Sequence, residues 1–309
     1  MNGRKTSIAF LISIILYFAC NLGIVLLLLF VPNFEFGLLW SNLIVELVIL
    51  LPGILFALFS GEKLPRFLGF HRIEITTLLL IIPFTMLSTP LLTLLNLITQ
   101  FWVNNTVTDM MQYYGAAQMP FWKLWVSIGL LAPICEEVAC RGLFYRGYEK
   151  SRGVFRAMLL SALLFALIHM NLNQAVYAFA MGIMSVLLVE ATGSLWASVF
   201  YHALINSSQV TIMYAALLVN SVVYSNAEET LGRDMLMYVV VGYLIITAIT
   251  LPLAFGLLTL MSRIQGRKGA LLALWRDRKV KYKKDNPAIV ILLIAVILCV
   301  AFIIWSMVV

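Results

Sequence analysis

Long apolar runs recur along the whole 309-residue sequence, and they limit what the chain can fold into. An apolar run of about 18 or more residues indicates a transmembrane helix, and these runs leave no room for a sizeable soluble domain. Soluble domains carry about 25% charged residues, whereas this chain has 11%. We therefore predict an all-α integral membrane protein, with residues 1–309 forming a single polytopic membrane domain.

The apolar runs predict about nine transmembrane helices, with eight as the alternative. The runs share high hydropathy and polar or basic flanks. They are approximately Ser7–Val31, Gly37–Phe59, Ile75–Phe101, Phe121–Arg146, Val154–Met170, Gln174–Glu190, Ser194–Val219, Met235–Met261 and Ala288–Val309.

Basic residues are distributed unevenly between the two sides of this arrangement. All but three of the 21 Lys and Arg residues fall in loops that one orientation places in the cytoplasm; the exceptions are Lys123, Arg141 and Arg233. The positive-inside rule then predicts a cytoplasmic N-terminus and an outside C-terminus. We expect the membrane to be a bacterial cell membrane, because the short chain shows no eukaryotic targeting signal.

The net charge of +7 does not indicate a nucleic-acid partner. The basic residues flank membrane spans and form no stripe interleaved with exposed aromatic residues. Anionic lipids at the cytoplasmic face are the predicted partner instead. Residues 264–285 are the densest basic segment, which we interpret either as a cytoplasmic loop or as an interfacial amphipathic helix.

Three ionisable residues lie within six positions of the fourth run: Glu136, Glu137 and Arg141. A charged side chain at the bilayer centre costs roughly 2.5–3.5 kcal/mol on insertion scales. Glu137 and Arg141 are four residues apart, so they share a helix face and are predicted to neutralise each other. Glu136 points about 100° away and needs a partner from another helix.

Two histidines and an asparagine fall at a similar predicted depth. With a rise of ~1.5 Å per residue, Glu136, His169 and His202 lie ~15, ~22 and ~12 Å from the cytoplasmic ends of their spans. Asn206 follows His202 by four residues and shares its helix face. These residues would occupy one slab near the middle of the membrane, so we expect access from the cytoplasmic side or from the inner leaflet.

This set of side chains favours hydrolytic chemistry. A carboxylate beside an imidazole (Glu136 and His169) can hold and deprotonate a water molecule. An imidazole and an amide (His202 and Asn206) can stabilise the oxyanion of a tetrahedral intermediate. A cysteine nucleophile at Cys135 or Cys140 is the less favoured alternative.

Three spaced patterns resemble the motifs of the CPBP intramembrane proteases: Glu136-Glu137-x-x-x-Arg141, Phe165-x-x-x-His169 and His202-x-x-x-Asn206. That family includes the type II CAAX prenyl endopeptidases and the bacteriocin-immunity (Abi) proteins. The resemblance covers about residues 131–209, which we take as the catalytic core.

The resemblance implies that Glu136 and His169 activate water and that His202 and Asn206 form the oxyanion hole. Glu137, Arg141 and Phe165 would support the site. A zinc ion bound by Glu136, His169 and His202 is the alternative, and a metal-free glutamate mechanism without a cofactor is favoured.

The sequence therefore predicts an intramembrane endopeptidase that cleaves a peptide or a membrane protein. The alternatives are a non-catalytic membrane scaffold or regulator, a bacteriocin-immunity protein of the same fold, and a transporter. A transporter would place ionisable residues along a path through several spans, whereas here they cluster at one level.

Overall fold

The computed structural model describes residues 1–31, 37–105, 107, 109, 119–223, 233–282 and 286–308, and every regular element within them is a helix. The predicted all-α class is therefore confirmed. The helices are α1 (Gly3–Phe30), α2 (Leu38–Leu58), α3 (Leu64–Leu68), α4 (Ile75–Thr99), α5 (residues 121–152), α6 (Val154–Leu167), α7 (Leu172–Thr192), α8 (Leu195–Val223), α9 (Arg233–Ile264), α10 (Ala270–Asp277) and α11 (Asn286–Val308).

Six helices of the described chain (α1, α2, α4, α7, α9 and α11) are long and apolar enough to cross a membrane. This agrees with a multi-pass membrane protein. The other three predicted spans correspond to α5, α6 and α8. Because α6 has only 14 residues, it is about 21 Å long and shorter than the ~30 Å hydrocarbon core. The count of nine crossings stays a prediction.

Helix α5 departs from the single regular helix that the sequence predicted for Phe121–Arg146. It continues to Arg152 and contains two π-helical segments, Trp125–Leu131 and Val138–Tyr145. Between them lies the α-helical segment Ala132–Glu137, in which Pro133 has no backbone N–H to donate to the preceding turn. Such π segments are frequent at functional sites, and apolar periodicity does not reveal them.

Helix α6 ends before the position that the sequence predicted. It stops at Leu167 and not at Met170, and α7 begins at Leu172. Met170 adopts a left-handed backbone with φ of 53°, which a helix interior cannot contain. His169 therefore lies in the turn between α6 and α7.

One end of the bundle carries the N-terminus and the basic loops, and we call it the basic end. There Glu62 accepts hydrogen bonds from the N-terminal ammonium group and, at 2.6 Å, from Lys150 Nζ. These bonds, the one from Lys150 first, lower the pKa of Glu62 from its usual value. Lys5 Nζ also donates to Ser60 Oγ at 3.0 Å, which joins the start of α1 to the end of α2.

The basic segment 264–285 contains α10, which packs against the bundle. Leu274 is buried in the core, whereas Trp275 is exposed. Asp277 Oδ2 accepts a hydrogen bond of 3.0 Å from the backbone N–H of Phe155, at the start of α6. Residues 283–285 lie outside the described part of the chain, and contact of this segment with lipid stays a prediction.

Gly182 allows α6 and α7 to pack closely beside the buried Arg141. A Cβ atom at position 182 would lie 2.8 Å from the Cα of Ala162 and 3.2 Å from Arg141 Nη2. Because backbone cannot move away as a flexible side chain can, we expect Gly182→Ala to lower the free energy of unfolding by about 1–3 kcal/mol.

Gly242→Ala is the matched control for this test, since a Cβ at position 242 meets nothing within 4 Å. It should leave stability unchanged or raise it by about 0.5–1 kcal/mol, because alanine loses less backbone entropy in a helix. Thermal unfolding of both purified variants in detergent provides the comparison. Equal melting temperatures would contradict the close packing at Gly182.

Candidate active site

A buried ion pair lies at the centre of the site. Arg141 Nη1 donates to Glu137 Oε1 at 2.9 Å, and neither side chain has any exposed surface. The predicted pairing is thus confirmed. The ring of Phe165 covers the guanidinium group, with 4.3 Å between the ring centroid and Arg141 Cζ. This cation–π contact adds to the attraction that holds the arginine in a site shielded from solvent.

His202 contacts two adjacent glutamates of α5, Glu136 and Glu137. Its Nδ1 lies 3.0 Å from Glu137 Oε1, and its Nε2 lies 3.4 Å from Glu136 Oε2. Glu137 is ionised by its pairing with Arg141, so Nδ1 of His202 must donate the hydrogen bond. The sequence assigned Glu137 to Arg141 alone. It missed the contact with His202, because the two residues are 65 positions apart and lie on different helices.

His169 is oriented by the backbone of the preceding helix, α6. Its Nδ1 lies 2.8 Å from the carbonyl oxygen of Phe165, which can only accept a hydrogen bond. The ring proton is therefore on Nδ1, and Nε2 of the neutral ring keeps its lone pair. The Phe165 ring also meets the rings of His169 and His202 edge-on, with centroids 5.0 and 5.5 Å apart. Phe165 thus supports both histidines.

The turn that carries His169 is held by asparagines. Asn171 caps α7, because its Oδ1 accepts from the Gln174 backbone N–H at 2.8 Å, and its Nδ2 donates to the His169 carbonyl at 2.8 Å. Asn173 Nδ2 donates to Thr99 Oγ1 on α4 at 2.8 Å. The left-handed Met170 is a costly conformation that persists only when its surroundings fix it, and such residues concentrate at functional sites.

Asn206 connects α8 to the first π-helical segment of α5. Its Nδ2 donates to the carbonyl of Ile128 at 3.1 Å, and the neighbouring Ser207 Oγ donates to the carbonyl of Gly129 at 3.2 Å. Pro133 follows Ile128 by five residues and Gly129 by four, and because proline has no N–H to donate, these carbonyls can accept from another helix. One N–H of the Asn206 amide does not take part in the bond to Ile128, because a primary amide carries two.

Glu136, His169, His202 and Asn206 line one cavity of about 350 Å³. The structure therefore brings together all four of the residues that the sequence predicted to be catalytic. Glu137 and Arg141 lie behind the cavity wall, and Phe165 forms part of it. The remaining wall includes polar side chains from the first two helices, among them Tyr17, Asn21, Asn42 and Glu46.

The cavity extends away from the basic end. Besides the site residues, its lining includes the second half of α1, the first half of α2 and Val107, which follows α4. These parts of the chain lie toward the end of the bundle opposite the basic end. The sequence led us to expect access from the cytoplasmic side, where the basic loops were placed. Counting residues along a helix estimates depth, but it does not show which end of the bundle is open.

Two alternatives from the sequence concern thiols and zinc. Among the described residues that line the cavity there is no cysteine; Cys140 is fully buried, and Cys135 lines an adjoining groove. No group of three or more His, Cys, Asp or Glu side chains in the described chain is arranged to hold a metal ion. We therefore derive no step through zinc, and the zinc set stays a prediction.

The fold and the site define an all-helical membrane protein with a buried glutamate and histidine cluster in its core. Residues 118–208 match the family described as type II CAAX prenyl endopeptidase Rce1-like, which confirms the resemblance of the three motifs. The match covers less than a third of the chain and indicates CAAX-protease-like intramembrane protease activity. The comparisons with curated proteins and with solved structures give no match.

Glu46 and Asn42 on α2 lie in the cavity wall, and the sequence did not place them in the site. Glu46 was recognisable as an acid within a span. Counted from Leu58 at ~1.5 Å per residue, it lies about 18 Å from the basic end of α2, at the level of the other site residues. The same depth count that grouped the histidines would have included it.

Loss of the Glu137 carboxylate should destabilise the protein strongly, because Arg141 would be left charged and buried. We expect Glu137→Ala to lower the free energy of unfolding by about 3–5 kcal/mol. The matched control is Glu149→Ala, which breaks the partly exposed pair of Arg146 and Glu149 on the same helix and should cost less than about 1 kcal/mol. Unfolding of both variants in mixed micelles measures the difference, and equal losses would contradict a structural role for the buried pair.

Proposed function

We propose that the protein is an intramembrane endopeptidase that hydrolyses a peptide bond with a water molecule activated by Glu136 and His169. The observation that supports this most directly is the shared cavity, in which a carboxylate and an imidazole lone pair face the same space. A water molecule between them would donate one hydrogen to Glu136 and the other to Nε2 of His169. Glu136 would then act as the general base, and His169 would orient the water.

In the proposed reaction, the water oxygen attacks the carbonyl carbon of the peptide bond as its proton passes to Glu136. The tetrahedral intermediate then collapses, the C–N bond breaks, and Glu136 returns the proton to the departing nitrogen. His169 orients the water and stays hydrogen-bonded to Phe165. Because Glu137 is occupied by Arg141 and His202, Glu136 is free to carry the proton.

His202 and Asn206 would stabilise the oxyanion. Nδ1 of His202 donates to Glu137, so Nε2 can donate to the oxyanion only when the ring is doubly protonated. Glu137 lies 3.0 Å from Nδ1 and Glu136 lies 3.4 Å from Nε2 of His202. The second N–H of the Asn206 amide supplies the other hydrogen bond.

The substrate that fits this site is a peptide or a membrane protein, and a prenylated CAAX protein is less favoured. The cavity extends away from the basic end, which the positive-inside rule assigns to the cytoplasm. The bond would thus be cut in the outer half of the membrane or at its outer surface. A metal-free glutamate mechanism is our preferred version of the chemistry.

Removal of either water-activating group should abolish cleavage without unfolding the protein. We expect no measurable turnover from Glu136→Gln or His169→Ala in detergent with a peptide substrate, because the water loses its base or its orientation. Glu74→Gln and His71→Ala are matched controls in an exposed loop and should keep full activity. Undiminished turnover in either site variant would exclude the proposed hydrolase function. A cellular effect of the protein that persists in Glu136→Gln would instead favour the scaffold or immunity role.

Removal of the Asn206 amide should slow the chemical step more than it weakens binding. We expect Asn206→Ala to lower kcat by roughly 10²–10³ with a much smaller change in KM, since an oxyanion contact forms only in the transition state. Ser208→Ala on the same helix is the control, because Ser208 Oγ donates only within its own turn, to the Ile205 carbonyl. If Asn206→Ala raised KM and left kcat unchanged, Asn206 would have a packing role, through its hydrogen bond to the Ile128 carbonyl, and no role in the chemical step.

A further inference from the structure

Glu46 is a buried acid that the proposed reaction does not use. It lies in the middle of α2 and is only 5% exposed. Its Oε2 atom is buried and has no hydrogen-bond partner, and within the described chain no Lys, Arg or His forms an ion pair with it. Burial of a carboxylate is costly unless the group is paired or hydrogen-bonded.

The position of Glu46 connects the active-site cavity to a second space. Glu46 lines the cavity together with Glu136, and it also lines an adjoining groove of about 230 Å³ between α2 and α5. The other groove residues are mostly apolar, including Leu39, Leu43 and Leu131. Leu131 is 43% exposed on the outer surface of the bundle, so the groove reaches the side that faces lipid.

Two acids meet at this junction. Glu46 and Glu136 line the same cavity, and two ionised carboxylates there would repel each other. Arg141, the buried arginine nearest to the site, is occupied by Glu137 and the Phe165 ring. A cation bound beside Glu46 would satisfy its unpartnered oxygen and relieve this repulsion.

We propose that Glu46 binds a positively charged group of the substrate, an amine or a guanidinium group, and thereby sets which peptides the site accepts. The apolar groove would hold the aliphatic part of the same residue, in the way that long basic side chains bury their stems and extend their charged ends. A substrate with a neutral group at this place would leave Glu46 unpaired, which is the basis of discrimination. This proposal rests on the proposed peptidase function for its biological meaning, but its binding step can be tested separately.

The first experiment measures binding without catalysis. Octylammonium and octanol share one alkyl chain and differ in charge, and each is added to the purified full-length protein in a non-ionic detergent. We expect octylammonium to raise the melting temperature of the wild type and of Glu74→Gln more than octanol does. In Glu46→Gln the two compounds should act alike, because the neutral amide cannot attract the cation. The same difference in wild type and Glu46→Gln would overturn the proposal.

The stability of the variants gives a second check on the role of Glu46. A carboxylate that serves to bind a ligand does not stabilise the unliganded protein. Glu46→Gln and Glu46→Leu should therefore both fold, with melting temperatures equal to or above that of the wild type without ligand. If neither variant folds, Glu46 is a structural group and the proposal is wrong.

The second experiment tests specificity with a randomised peptide library whose cleavage products are sequenced by mass spectrometry. We expect lysine or arginine to be enriched at one position relative to the cleaved bond, and replacement of that lysine by norleucine to lower kcat/KM by about tenfold or more. The preference should persist in Glu74→Gln and disappear in Glu46→Gln. A preference that survives Glu46→Gln would contradict the proposal, and so would a wild type with neither a basic preference nor a response to acetylation of the peptide N-terminus.

Acetylation of the peptide N-terminus separates two sources of the cation. Loss of cleavage on acetylation would identify the terminal amine as the group bound by Glu46, and a lysine or arginine preference that persists on acetylation would identify a basic side chain; both support the proposal. If the wild type cleaves no peptide but still binds octylammonium through Glu46, the peptidase function fails and the cation site stands.

Discussion

The buried pair of Glu137 and Arg141 is the interaction on which the rest of the site depends. Two charges without exposed surface cost several kcal/mol each to remove from water, so their neighbours must satisfy them. His202 donates to Glu137 from α8, and the Phe165 ring covers Arg141 from α6. A single pair within α5 thereby fixes the orientation of side chains on two other helices. It also gives His202 the acceptor that determines which ring nitrogen faces the cavity.

The division of roles between adjacent glutamates follows from helix geometry. Consecutive residues point about 100° apart, so Glu137 faces the protein core while Glu136 faces the cavity. Glu136 has no cationic partner in the described chain other than His202 at 3.4 Å, longer than a usual N–H···O hydrogen bond. The same acid type therefore serves as a structural anion at one position and, in our proposal, as the base at the next.

The sequence predicted the helical class, the buried pair and the residues that meet in the cavity, because charges in apolar runs and four-residue spacings are explicit in it. It did not predict the π-helical segments of α5, which change hydrogen-bond register without changing hydropathy. It extended α6 through Met170, whose left-handed backbone depends on the contacts of Asn171 with its neighbours. Glu46 was visible as an acid, but its place beside Glu136 depends on how α2 packs against α5, which no local pattern specifies.

In the proposed reaction, water bound by Glu136 and His169 attacks the peptide bond, and no protein nucleophile takes part. Single-turnover cleavage in ¹⁸O-labelled water with added hydroxylamine, followed by mass spectrometry of the products and of the intact protein, distinguishes the two routes. We expect one ¹⁸O atom in the new C-terminal carboxylate, no hydroxamate and no peptide attached to the protein. A peptide hydroxamate, or a covalent adduct at Cys135 or Cys140, would contradict it.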